Sequence, residues 1–187
     1  MEQFEKYHPI MTPRFTFDWL TVSTVKDVFA LRYDPAVAAQ TNRPADADIN
    51  QTVDYISHTM VAVMRNRQLT WGITDRSAKQ FVGIFSLDPI DEDSGQAGLH
   101  LELVPKELTA ASVREIIGHM SAFAFAELGL SSLTIWVPAG DTTVQPTLTA
   151  LGYKPASYTG DGAPDDFDLY QISRAVSITP RALNNRY

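Results

Sequence analysis

The stretch from Leu99 to Leu130 constrains the fold more than any other part of the chain. Leu99, Leu101 and Leu103 alternate with His100, Glu102 and Val104, the two-residue period of a half-buried strand. Pro105 ends that strand, because its nitrogen cannot donate to a ladder. A polar turn follows at 106–111. Val113, Ile116, Ile117, Met120, Phe123 and Ala124 then recur at the spacing of one helical face, in a helix that runs to Gly129. Ser112 and Glu115 have the form of a capping box, and Thr109 offers a cap one turn earlier. With either cap, the free N–H groups and partial positive charge of the first turn face one point. An anionic group such as a pyrophosphate would be held there. A plain strand-to-helix connection in an α/β sheet would have the same form.

The 187 residues suffice for one sizeable core, and 44% hydrophobic with 20% charged residues is an ordinary globular balance. The formal net charge of −7 argues against nucleic acid or an anionic membrane as partner and suits cationic ligands such as amines. The chain has no cysteine, which excludes disulfides, thiolate metal sites and a cysteine nucleophile. Outside the strand, His8, His58 and His119 are too scattered for a metal site to be expected. The opening residues, MEQFEKYHPIM, lack the apolar segment of a signal peptide, and no apolar run reaches the roughly 18 residues that span a bilayer. A cytoplasmic location is the expectation.

Elsewhere, residues 1–13 read as an irregular lead-in. Phe15, Phe17 and Trp19 alternate with Thr16 and Asp18, which predicts a strand over 14–20. A helix is expected over 21–33, ended by Asp34-Pro35, then a connection over 36–48. A second helix is expected over 50–67, capped by Asn50, with Val53, Ile56, Met60, Val61 and Met64 as its apolar face. Residues 68–74 and 81–87 read as strands joined by a hairpin turn, and Gly83 marks a bulge or a close backbone approach. Residues 89–95 form an acidic turn. Strands are expected over 132–137, 153–158 and 166–172, a short helix over 141–151, and a polar tail over 174–187. Trp19, Trp71 and Trp136 are assigned to the core. The fold class is α/β (α+β), with a mixed sheet of about six or seven strands. The helices at 21–33 and 50–67 cover one face and that at 112–128 the other.

An ordered set of these features resembles the GNAT superfamily of acetyl-CoA-dependent N-acetyltransferases. It comprises Trp71-Gly72-Ile73, Gly83 in the next strand, the strand ending at Pro105, and the turn and helix that carry Phe123-Ala124-Phe125. The look is closest to the branch that acetylates ribosomal-protein N-termini. Leu151-Gly152-Tyr153 is similar to that branch's Leu-Gly-Phe, and residues 14–20 with Asp34-Pro35-Ala36-Val37-Ala38 fit its first strand and helix. The likeness covers roughly residues 12–173. It implies a single domain with a mostly antiparallel sheet. It also implies acetyl transfer to a primary amine, either a protein N-terminus or a small molecule, with acetyl-CoA as co-substrate and no metal. A homodimer stays open.

The family's cofactor loop, Gln/Arg-x-x-Gly-x-Gly/Ala, is matched by Lys106, Thr109 and Ala111. Thr109 stands where the family has glycine and, being β-branched, resists positive φ. Asp141 and Val144 stand in place of the branch's Asn-x-x-Ser, and Asp141 would repel an anionic cofactor. The resemblance thus implies a cofactor site at Leu103, Val104, Lys106, Thr109, Ala110 and Ala111, with Asp141 beside it. In the family, pantetheine lies in a gap between two splayed strands, here 97–104 and 132–137. His100 and Glu102 share one face of the first, and either can accept the amine proton, directly or through water. Glu102 is preferred because it lies nearer the strand's end. A solvated strand position is the alternative for both. Asp91, Glu92 and Asp93 are expected at the lip where a cationic amine enters. Two other readings stay open: a GNAT fold that binds CoA or another ligand without turnover, and an α/β protein with no tie to CoA.

Overall fold

Alternation along each strand decides the sheet. Phe15 and Phe17 are fully buried while Thr16 and Asp18 are half-buried, and Leu133, Ile135 and Val137 are buried while Thr134 and Trp136 are not. In the computed structural model, which describes residues 3–175, eight strands form one sheet. They are β1 (Ile10–Met11), β2 (Phe15–Asp18), β3 (Leu69–Asp75), β4 (Gln80–Asp91), β5 (Gln96–Leu103), β6 (Ser132–Pro138), β7 (Lys154–Ala156) and β8 (Phe167–Ser173), in the order β1-β2-β3-β4-β5-β6-β8-β7. All neighbours are antiparallel except β5 and β6. Sheet and class are as the sequence implies, with β1, inside the expected lead-in, as the additional strand.

The parallel pair follows from the organising stretch. Between β5 and β6 the chain crosses over through α4 (Ala110–Ala126), whose Val113, Ile116, Ile117, Met120 and Ala124 are fully buried on one face of the sheet. There Trp71 stacks on Trp19 with centroids 5.9 Å apart and meets Phe123 of α4 edge-on at 5.8 Å. Its Nε1–H donates to the Tyr7 carbonyl at 2.7 Å. The other face carries α1 (Val25–Tyr33), α2 (Pro35–Ala38) and α3 (Ile49–Met64), around Leu20, Val28, Leu31, Val37, Ile56 and Ile84. Burying side chains of this size stabilises the fold by about 1.5–3 kcal/mol each. The fifth helix is α5 (Val144–Ala150).

Several boundaries differ from expectation for identifiable reasons. The segment over 36–48 was expected as a plain connection, but Asp34 caps Ala36 N–H and Pro35 supplies the first position of α2. Asp48, rather than Asn50, caps α3 and accepts from the N–H groups of Asn50 and Gln51. The inward face of α3 is Thr52, Ile56, Thr59 and Val63, while Val53, Val61 and Met64 face solvent. Threonine hides such a face from a purely apolar count. Strand β4 continues through Pro89 to Asp91, where an acidic turn was expected. Its register shifts between Leu87 and Ile90, and proline is tolerated at that irregularity because no donor is needed. Trp136 is half-buried and lies outside the core. No helix among the described residues is long and apolar enough to cross a membrane. The expected polar tail falls outside the described residues from 176 onward.

Candidate active site

The pairing of β5 with β6 runs from Gln96↔Ser132 to Leu99↔Ile135 and stops. Beyond that point β5 stays paired with β4, and β6 with β8, so a gap opens between His100–Leu103 and Trp136–Pro138. Gln40, Thr41, His100, Leu101, Leu108, Val137, Asp141 and Val144 line it. Val104 N–H donates to the Val82 carbonyl on β4, so by alternation the backbone groups of Leu103 point to the gap. Both are occupied by one side chain. Leu103 N–H donates to Gln40 Oε1 at 2.9 Å, and Gln40 Nε2 donates to the Leu103 carbonyl at 2.8 Å.

Two irregularities of β4 shape β5 next to the gap. Near Val82 the register shifts, and a Cβ on Gly83 would lie 2.3 Å from the Glu102 carbonyl oxygen, so only glycine admits this approach. Both features that its place in the sequence suggested, bulge and close approach, are present. At Asp88-Pro89 the second irregularity brings the Asp88 carbonyl over Gly98 and within 2.8 Å of His100 Nε2. A carbonyl only accepts, so Nε2 carries the proton and a neutral imidazole keeps its lone pair on Nδ1.

His100 and Glu102 share a face, as expected, but differ in their partners. Glu102 is 6% exposed and engaged at both oxygens. Oε1 accepts from Thr41 Oγ1 at 2.6 Å and Arg43 Nε at 2.5 Å, and Oε2 accepts from Arg43 Nη2 at 2.9 Å. Arg43 also donates to the carbonyls of Arg32 and Pro44. Behind it, Arg32 holds Asp46 through Nε and Nη2 at 2.8 and 3.0 Å, and Thr52 donates to the same carboxylate at 2.6 Å. Burial pushes the Asp46 carboxyl up. The hydrogen bonds from Arg32 and Thr52, with the charges of Arg32 and Arg43, outweigh it and leave the group below its ordinary value of 3.8. Residues 39–46 are thereby tied across the open end of β5.

On the face of the sheet that carries α1, α2 and α3, Arg32, Arg43, Tyr55, Gln68, Ser86, His100 and Glu102 surround a cavity of about 220 Å³. Ser86 and His100 belong to its floor, and Thr70 lies buried behind Ser86. Thr70 and Ser86 hydroxyls lie 3.0 Å apart, and Ser86 is in register with His100. A second cleft, of about 370 Å³, is bounded by Asp88, Asp91, Gln96, His100, Trp136 and Tyr158. Trp136 and Tyr158 meet edge-on with centroids 5.6 Å apart. The gap, the polar cavity and the acidic cleft have His100 in common. Sequence inspection missed Gln40, Arg43, Ser86 and Trp136. The strict alternation of β6 was the available signal for Trp136. The others reach the site only through tertiary contacts.

At the far end of the gap, Pro105–Glu107 form a short helical turn and Thr109 caps α4. Thr109 has φ −115°, in the extended region, so the β-branched residue sits there without strain. Its Oγ1 accepts from Ser112 N–H at 3.2 Å, which selects Thr109 over Ser112 as the cap. Glu115 is not part of a capping box; its Oε1 accepts from Thr12 and from Arg14 N–H. Lys106, Thr109, Ala110 and Ala111 are exposed, and Lys106 Nζ lies 3.4 Å from Gln80 Oε1. Asp141 turns inward on its own segment, where its Oδ1 accepts from the N–H groups of Thr143 and Val144 at the start of α5. Asp91, of the expected lip, accepts from the Ser94 hydroxyl and from Ser94 and Asp93 N–H, which hold its carboxyl below the ordinary range.

Comparison with known proteins places these features in context. Residues 14–154 match the acetyltransferase (GNAT) domain. The chain is 21% identical over 170 residues to the uncharacterized N-acetyltransferase YoaA of Bacillus subtilis, covering 88% of this chain and 96% of that protein. The fold is shared with ribosomal-protein-S5-alanine acetyltransferase from Vibrio fischeri, at TM-score 0.75 and 12% identity, over 90% of this chain and 98% of that one. Spermidine N-acetyltransferase from Vibrio cholerae, solved with CoA and spermine, superposes at TM-score 0.73 and 12% identity over 87% and 96%.

Proposed function

This chain belongs to the GNAT acetyltransferase family, and we propose that it transfers an acetyl group from acetyl-CoA to a primary amine at the junction marked by His100. The observation that carries the reading is the end of β5–β6 pairing at Leu99↔Ile135, next to a histidine that borders the gap and both neighbouring cavities.

The residues present fit the cofactor. Leu103 directs one donor and one acceptor into the gap, the complement of the carbonyl of one amide and the N–H of the next in an extended arm that carries two. The first-turn N–H groups at Ala110 and Ala111 have no acceptor within the helix, and with Lys106 they favour phosphate. When bound, acetyl-CoA supplies an acyl group already activated as a thioester. In this reading His100 takes the amine proton on Nδ1, held in orientation by the Asp88 carbonyl. Glu102 positions Thr41 and Arg43 and so shapes the acceptor cavity. Asp88 and Asp91, in a chain of net charge −7, draw a cationic amine to the acidic cleft.

Calorimetric titration with CoA and acetyl-CoA, followed by thiol release with a panel of amines, tests the proposal. Added salt is expected to weaken cationic acceptors more than neutral ones. Absence of CoA binding at high ligand concentration defeats it. One observation favours a second reading, a CoA-binding protein without turnover. The Asp141 carboxylate occupies the start of α5, where an anionic cofactor would be repelled. CoA binding with no thiol release for any amine selects that reading.

A further inference from the structure

Gln40 occupies a place that an amide ligand would take. Its carboxamide receives the Leu103 N–H and donates to the Leu103 carbonyl, the same two bonds that a neighbouring strand would make on this edge of β5. No strand fills the position because β6 has already diverged at Ile135. Gln40 is half-buried and belongs to a short turn, Ala39–Thr41, directly before Asn42, whose φ of 54° is left-handed. The turn is carried on α2 and anchored beyond by Arg43, so it brings the side chain to the gap from the face that carries α1, α2 and α3.

We propose that Gln40 is an internal latch on the cofactor gap, which must release Leu103 before the two pantetheine amides take the same two groups. This rests on the gap being the cofactor site. The Gln40 carboxamide offers its donor and acceptor side by side, and the two trans amides of pantetheine together offer one of each along the arm, so the two exclude each other while Leu103 is satisfied in either state. Neither end state therefore leaves an unpaired N–H or carbonyl in the gap. The latch also links the two sides of the site. Thr41 and Arg43, one and three residues after Gln40, hold Glu102, so release of Gln40 acts on the segment that frames the acceptor cavity.

Amide hydrogen exchange and CoA titration on the full chain test this, with Gln40→Ala and with Gln40→Glu, which keeps the size but cannot donate to the carbonyl. Without CoA, Leu103 N–H exchanges slowly in the wild type and much faster in Gln40→Ala. With saturating CoA it is slow in both. Removing the competitor tightens CoA binding by about five- to tenfold, because two ordinary hydrogen bonds no longer have to be exchanged. Gln40→Glu shows the same direction with a smaller change. Equal CoA affinity in wild type and both variants overturns the latch while leaving the cofactor reading standing. Exchange at Leu103 that Gln40→Ala leaves unchanged overturns it as well. If no form binds CoA, the cofactor reading fails and the latch with it, even where exchange at Leu103 responds to the substitution.

Discussion

His100 Nε2 lies 2.8 Å from the carbonyl oxygen of Asp88, and that one contact fixes which ring nitrogen is basic. With Nδ1 as the proton acceptor, His100→Ala is expected to lower kcat by about 10²–10⁴-fold with CoA affinity nearly unchanged. Glu102→Gln leaves Arg43 facing a neutral amide and is expected to act first on stability. Thiol-release kinetics beside CoA titration decide the matter. If Glu102→Gln abolishes turnover and His100→Ala does not, the two roles are exchanged.

The Arg32–Asp46 pair predicts a defined response to acid. The two side chains are 11% and 7% exposed, and breaking such a pair typically costs about 3–5 kcal/mol. Asp46→Asn is expected to lose that much at neutral pH. Because the folded carboxyl is lowered from 3.8, its contribution is complete above that value and lost as pH falls through the folded pKa. The stabilities of the two proteins in urea should therefore differ less as the pH drops below the ordinary carboxylate value. A gap that is constant over that range contradicts the assignment.

Gly83→Ala places a methyl group against the Glu102 carbonyl, and backbone cannot yield as a side-chain tip does. The variant is expected to lose about 1–3 kcal/mol, the usual cost of overpacking. The loss should come with faster amide exchange along β4 and β5 near the gap. Unchanged stability would mean that the two strands part more easily than their register suggests.

The proposed cofactor end predicts opposite effects on stability and binding. Thr109→Ala removes the cap of α4 and should cost about 1 kcal/mol, whereas Thr109→Gly should cost only a few tenths. If the threonine side chain crowds a phosphate, the glycine variant binds CoA more tightly despite its lower stability. Asp141→Asn, which removes a negative charge, should tighten binding too. Thermal unfolding and calorimetry separate the two effects.

Much of this was readable in the chain, and the remainder was hidden for specific reasons. The strand–proline–turn–helix stretch, Gly83 and the shared face of His100 and Glu102 are local patterns with a physical period, and they fold as read. The inward face of α3 misled because Thr52 and Thr59 do the work of apolar residues once their hydroxyls are paired or enclosed. The partners of Glu102 were invisible because Thr41 and Arg43 lie 61 and 59 residues away. No spacing rule relates a connection between helices to a strand that far along the chain.

The short seam between β5 and β6 has a mechanical consequence. Backbone pairs join the two parts of the sheet only from Gln96↔Ser132 to Leu99↔Ile135, at one end of both strands. The two parts of the sheet are therefore arranged like a pair of jaws joined at that end. A small bend at that end would change the width between them without breaking a strand-to-strand bond. Small changes in angle are magnified toward Leu103 and Pro138, where a long, thin guest would feel them most.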